Sequence, residues 1–383
     1  MRRLALIMAT FTVIVGAAFA VLLSRAPAAA GPVEQVDDSE ARPTRLADPL
    51  PSTTAPEPPA RSATTAVPPV TLPAPPAPPP PVVLPQARTL AVDTSGAKVP
   101  AADPALIRDG DVWRVYTTQF RYTNVPMWES DDLVTWTRVG DVLPTLPAWV
   151  KWGKTWAPDV TEIDGQWVLF FSARHEASGM QCIGHAVAAD AAGPFTAFPE
   201  PIVCPIDDGG AIDPMVFQEG NGQLRLLWKV DANAIGRASV LRSQALSADG
   251  LTLEGDPSDL LRYEGGWEWP LIEQPEMVAR DGELHLFYAA GWYNTENYQV
   301  GHAVCESVAG PCERTSTDGG WIVSSPGIAG PGALSVMEID GDLVGAYHGW
   351  IDAIGAPDTR SLIIEPLSLI DGIPRTGSVP VGD

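Results

Sequence analysis

The sequence predicts an all-β protein whose body is a five-bladed β-propeller, and three observations carry that prediction. The first is a fivefold pattern. Segments starting at Ala102, Ala157, Ile212, Ile272 and Gly332 each read as a short strand, a turn ending in glycine, and an alternating or apolar strand. Asp-Gly and Asn-Gly pairs at such turns are strong hairpin signals. The turn glycines are Gly110, Gly165, Gly222, Gly282 and Gly341, spaced by 55, 57, 60 and 59 residues. A near-constant period marks a repeat fold. The second is an echo: GHAVAADAAGPF (Gly184–Phe195) recurs as GHAVCESVAGPC (Gly301–Cys312), two periods later. The third is the lack of any long amphipathic helical pattern between these segments. Each period has room for about four short strands, the content of one propeller blade. A β-sandwich would leave five matched periods unexplained.

The elements follow in chain order. Residues 1–30 begin Met1-Arg2-Arg3, continue as an uncharged, mainly apolar run from Leu4 to Leu23, and end in small residues. That is the composition of an export signal, and the run is also long enough for a signal anchor. Cleaved or not, it places the remainder outside the membrane. Residues 31–87 are proline-rich, including APPAPPPPVVLP (Ala74–Pro85), and read as a disordered, extended linker that buries no core. The propeller takes residues 88–383, enough chain for one large core.

The formal net charge of −23 argues against a nucleic-acid partner or an anionic membrane surface. Contact with a membrane is expected only through the N-terminal segment, and the protein is expected to be a monomer. Four cysteines in an exported chain suggest disulfides. Of three possible pairings, the spacing suggests Cys182–Cys204 and Cys305–Cys312. Neither CxxC nor HExxH occurs, so no zinc site and no cofactor is expected.

Four of the repeats carry an acid shortly before the turn glycine: Asp103, Asp159, Asp213 and Glu273. The innermost strand of a blade starts near the propeller axis, so these acids should converge at one end of the channel. Clustered carboxylates repel and shift one another's pKa values, a cost that usually signals function. An Asp before Pro, as at Asp103 and Asp213, is by itself a common turn signal; it is the shared register that turns the reading toward a site.

These residues resemble glycoside hydrolase family 43, over about Leu90 to Leu369. ADP (Ala102–Pro104), SDDLVTW (Ser130–Trp136), WAPDV (Trp156–Val160), AIDP (Ala211–Pro214), IEQP (Ile272–Pro275), GPGALSV (Gly330–Val336), YHGW (Tyr347–Trp350) and RSLIIEPL (Arg360–Leu367) occur in the family's order and at blade spacing. The resemblance implies an inverting glycosidase acting on α-L-arabinofuranosides or β-xylosides of a polysaccharide or oligosaccharide, and the N-terminal segment implies that it is extracellular, secreted or anchored to the outer face of the cell membrane. It implies Asp103 as general base, Glu273 as general acid, and Asp213 as a third carboxylate that raises the acid's pKa and orients it.

Many members carry a His after the GxG of the last blade, where it helps hold a channel metal; here Ala333 stands there, which argues against a structural Ca2+ in the central channel. Glu276 rivals Glu273, but strand alternation puts it on the opposite face. Trp156, Asp159, Trp267 and His348 are candidates for substrate contact, and Trp128 a lesser one. The competing readings are a non-catalytic carbohydrate-binding propeller, which would not need three acids, and a five-bladed relative with a retaining mechanism.

Overall fold

Each sequence period becomes one antiparallel sheet. The computed structural model describes residues 84–355 and 359–377; the apolar segment and nearly all of the proline-rich linker lie outside them. Among the described residues no helix is long and apolar enough to cross a membrane. Blade I runs through Ala105–Asp109, Val112–Tyr116, Pro126–Ser130 and Thr135–Asp141. Blade II is Val150–Ile163, Gln166–His175, Gln181–Ala188 and Thr196–Ala197. Blade III is Ala211–Gln218, Leu224–Val230, Val240–Leu246 and Leu253–Arg262. Blade IV is Ile272–Arg280, Glu283–Ala290, Gln299–Cys305 and Cys312–Arg314. Blade V has three C-terminal strands, Ala329–Ile339, Asp342–Trp350 and Ser361–Ile370.

The inner strands of successive blades pack against one another, and blade V returns to blade I, so the ring is closed. Five apolar clusters fill the gaps between neighbouring blades. Closure is made by the start of the propeller. Thr89–Leu90 pairs antiparallel with Ile363 and Ile364 at the edge of blade V, and Val92–Asp93 pairs with Thr135 and Trp136 of blade I. Ile373–Thr376 completes the same edge of blade V. Leu84 already packs on the cluster between blades V and I, and Arg88 pairs with Glu365 at 3.0 Å.

The hairpin turns are as the sequence predicts. Asp164-Gly165, Asp281-Gly282 and Asp340-Gly341 all have positive φ at both residues, the signature of the type I′ turns that match strand twist. The GHAV echo also has a cause. A Cβ on Gly184 would meet the Phe171 and Trp149 rings at 2.6 and 2.7 Å. One on Gly301 would meet Tyr288 and Trp267 at 2.6 and 2.8 Å. Both glycines therefore leave room for an aromatic pair between strands. The two expected disulfides, Cys182–Cys204 and Cys305–Cys312, are formed.

One irregularity recurs in every blade. Asp103, Ala157, Asp213, Gln274 and Ala333 have φ of 51°, 42°, 59°, 55° and 56°. In blades II to V the pairing register shifts at this point. Left-handed backbone at a residue other than glycine costs ~1–3 kcal/mol. A five-times repeated bulge of this kind bends each inner strand where it reaches the axis.

Candidate active site

The bulge explains which side chains reach the site. The left-handed residues of blades I and III are Asp103 and Asp213; the residues just before the bulge in blades II and IV are Trp156 and Glu273. All four line a cavity of about 610 Å³ at one end of the channel, together with Phe120, Tyr293 and Arg360. Two positions after each left-handed residue come Ala105, Asp159, Met215, Glu276 and Ser335, which line a narrower space of about 20 Å³ in the channel.

The bulge also corrects the expectation for Glu276. Simple alternation would turn it away from Glu273. The bulge at Gln274 resets the alternation, so Glu276 faces the channel, where it accepts the Val336 amide at 2.8 Å. Asp159 does the same for the Val216 amide at 2.8 Å, and Ser335 for Leu106 at 3.2 Å. Each ties its own blade to the next. Burial pushes the Asp159 carboxyl up to about 7, and burial pushes Glu276 well above its ordinary value. Neither lines the larger cavity.

Asp103 receives two side-chain donors, one on each oxygen. Arg360 Nη1 donates to Oδ1 at 2.9 Å and Thr118 Oγ1 donates to Oδ2 at 2.6 Å. Its backbone N–H donates to His348 Nδ1 at 3.1 Å. His348 is fully buried, its ring stacked on Tyr298. Burial, and then the Arg360 guanidinium, hold its pKa well below the usual imidazole range. It therefore sits behind Asp103 as a neutral support and does not line the cavity.

Glu273 receives two donors, Lys229 Nζ to Oε2 at 2.9 Å and Tyr298 Oη to Oε1 at 2.8 Å. Asp213 Oδ2 accepts the Gln274 amide at 3.1 Å. Burial and then the charge of Glu273 raise the Asp213 carboxyl well above its ordinary range. A charge on Glu273 thus disfavours a charge on Asp213. The Gly209-Gly210 pair ahead of Asp213 has φ of 97° and 98°, and a Cβ on Gly209 would meet the Asp231 carbonyl at 2.6 Å. Only glycine lets this segment approach so closely.

Trp267 does not reach the cavity. Its indole N–H donates to the Ser316 carbonyl at 3.0 Å, and its ring packs by Tyr288 over Gly301. Trp149 holds the corresponding place in blade II. Trp128 is buried in the cluster between blades V and I. The residues that sequence reasoning missed are Lys229, Tyr298, Thr118, Tyr293 and Arg360. Arg360 had a signal, since it opens the RSLIIEPL motif; the others lie outside any motif.

The channel metal of many family members finds no ligand at Ala333. Among the described residues, no three His, Cys, Asp or Glu side chains converge as a metal site would need. The residues present do not fit such an ion, and no step is routed through one.

Fold and site together define a five-bladed propeller with three carboxylates at the mouth of its channel. The family model for glycosyl hydrolases family 43 matches residues 97–374, and the chain belongs to that family. It is 42% identical over 74 residues to xylosidase/arabinosidase 43A of Humicola insolens, 19% of this chain and 21% of that protein. It is 28% identical over 143 residues to the extracellular exo-α-(1→5)-L-arabinofuranosidase ArbA of Cellvibrio japonicus, 34% of this chain and 40% of that protein. The matched part spans 21% to 40% of the length of the curated relatives. A crystal structure of a thermostable family-43 glycoside hydrolase superposes with TM-score 0.65 at 27% identity, covering 73% of this chain and 93% of that one. An endo-1,4-β-xylanase of Bacteroides thetaiotaomicron superposes with TM-score 0.63 at 22% identity, covering 74% and 96%. The second likeness is one of fold.

Proposed function

We propose that the protein is an extracellular, inverting glycoside hydrolase acting on α-L-arabinofuranosides or β-xylosides of a polysaccharide. One observation carries the chemistry: Asp103 and Glu273 face the same cavity from non-adjacent blades, with Asp213 lining it as a third carboxyl. Asp103 is clamped by Arg360 and Thr118, which suits a group that must be ionised to take a proton from water. Glu273 has Asp213 beside it as a second carboxyl, a pairing that suits a group that must give a proton. In the reaction Asp103 removes a proton from water as the oxygen attacks the anomeric carbon. Glu273 protonates the leaving oxygen on the opposite face as the glycosidic bond breaks. Trp156 offers an aromatic face to the sugar ring. The two disulfides support an oxidising compartment.

The test is hydrolysis by the purified propeller of 4-nitrophenyl α-L-arabinofuranoside, 4-nitrophenyl β-D-xyloside and the matching oligosaccharides. The expected result is release from at least one pentoside, an inverted first product by proton NMR, and loss of activity in Asp103→Asn. Binding of a pentoside oligosaccharide without hydrolysis would instead favour a lectin. A retained configuration would rule out inversion.

A further inference from the structure

Behind Glu273, outside the cavity lining, sits a buried cation that the scheme above does not use. Lys229, from the second strand of blade III, is 1% exposed. Its Nζ lies 2.9 Å from Glu273 Oε2 and 2.9 Å from Asp231 Oδ1. A buried ammonium is costly unless it is paired, and here one ammonium serves two carboxylates on different blades. Asp231 is anchored independently: its backbone N–H donates to the Gly210 carbonyl at 2.9 Å. The lysine is thus fixed on one side and aimed at Glu273 on the other.

Resting on the assignment of Glu273 as the general acid, we propose that Lys229 is a positioning residue that sets this acid's strength, with Asp231 as its counterweight. The chemistry is direct. When Glu273 gives its proton to the leaving oxygen it becomes a carboxylate, and the ammonium 2.9 Å away is stabilised by that new charge. The interaction grows as the proton leaves, so it favours the transition state over the ground state. Without a counterweight the same cation would strip Glu273 of its proton before substrate arrives. Asp231 offsets the cation from one side, and Asp213 opposes it from the other. The remaining polar groups facing the pair are Tyr298, which donates to Glu273 Oε1, and beyond it His348, Asp103 and Arg360. Burial works against the lysine's charge, but Glu273, Asp231 and Asp213 outweigh it and raise its pKa.

Two variants make opposite predictions. Lys229→Met removes the cation, so Glu273 holds its proton more tightly. The alkaline limb of kcat/KM on unactivated xylo- or arabino-oligosaccharides should move up by about one pH unit, and kcat should fall by roughly 10- to 100-fold. Asp231→Asn removes the counterweight, so the limb should move down. Difference infrared titration of the carboxyl band lost in Glu273→Gln reads the same two shifts without substrate. Asp231→Asn and the infrared reading decide the matter if the buried methionine variant does not fold. A purely structural lysine would lower activity with both limbs unmoved, and that result overturns the proposal. Glu273→Gln, run alongside, separates the two ideas. If it keeps full activity on the oligosaccharides, the acid is misassigned. If it is inactive and the two limbs do not move in opposite directions, only the role of Lys229 is lost.

Discussion

At the level of single residues, a turn of backbone decides function. Asp103 and Asp213 occupy the left-handed position of the bulge, and Glu273 the place just before it. Two positions further on, Asp159 and Glu276 take the amide of the next blade instead. The Asp159 carboxyl, ordinarily near 3.8, is pushed up by burial to about 7. Its folded pKa lies above its unfolded one, so the folded state favours the protonated form. That contribution is full below about pH 4 and is lost as pH rises through about 7. Asp159→Asn keeps an acceptor for the Val216 amide and cannot ionise. Its stability relative to the parent should therefore rise between pH 4 and pH 8, by on the order of 3–4 kcal/mol. Urea denaturation of both proteins across that range measures it. A difference independent of pH would show that Asp159 is not held protonated.

At the level of elements, the ring depends on two short strands far from the site. Thr89–Leu90 and Val92–Asp93 join blade V to blade I, and Ala91 between them is fully buried. A protein beginning at Gln86 should fold and remain soluble. One beginning at Gly96 loses both pairings and the Arg88–Glu365 ion pair, and should be less stable by on the order of 3 kcal/mol. Thermal unfolding of the two compares them; equal midpoints would show that these strands do not close the ring. The disulfides predict a ranking. Cys182–Cys204 spans 22 residues and Cys305–Cys312 spans 7. Chain entropy gives losses of about 3 and about 2 kcal/mol when each is replaced by serines. Denaturant midpoints test the order, and a larger loss for the shorter bridge would contradict it.

At the level of the whole molecule, the parts legible in the sequence were those set by local chemistry. Asp-Gly and Asn-Gly turns mark hairpins because few residues accept positive φ, and four of the first and one of the second at a near-constant period give the blade number. Asp-Pro at two bulges gave two of the three acids. The rest depends on contacts between blades. Lys229 and Tyr298 lie in otherwise ordinary strands, and only the ring brings them to Glu273. Strand alternation misplaces Glu276, because alternation holds only until a bulge interrupts it. Trp267, by sequence a candidate for substrate contact, packs over Gly301 as Trp149 packs over Gly184 in the other half of the GHAV echo.

The claim that joins these scales is that Glu273, and not the neighbouring Glu276, gives the proton to the leaving group at a site facing Asp103. The most direct measurement is turnover of Glu273→Gln and Glu276→Gln on one unactivated pentoside oligosaccharide and on the matching 4-nitrophenyl glycoside. Loss of the acid should lower kcat on the oligosaccharide by roughly 10²- to 10⁴-fold. The loss should be much smaller on the nitrophenyl substrate, whose leaving group needs little proton assistance. Glu276→Gln should change both by similar, small factors. A Glu273→Gln protein near full activity on the oligosaccharide, beside an inactive but folded Glu276→Gln, would contradict the account.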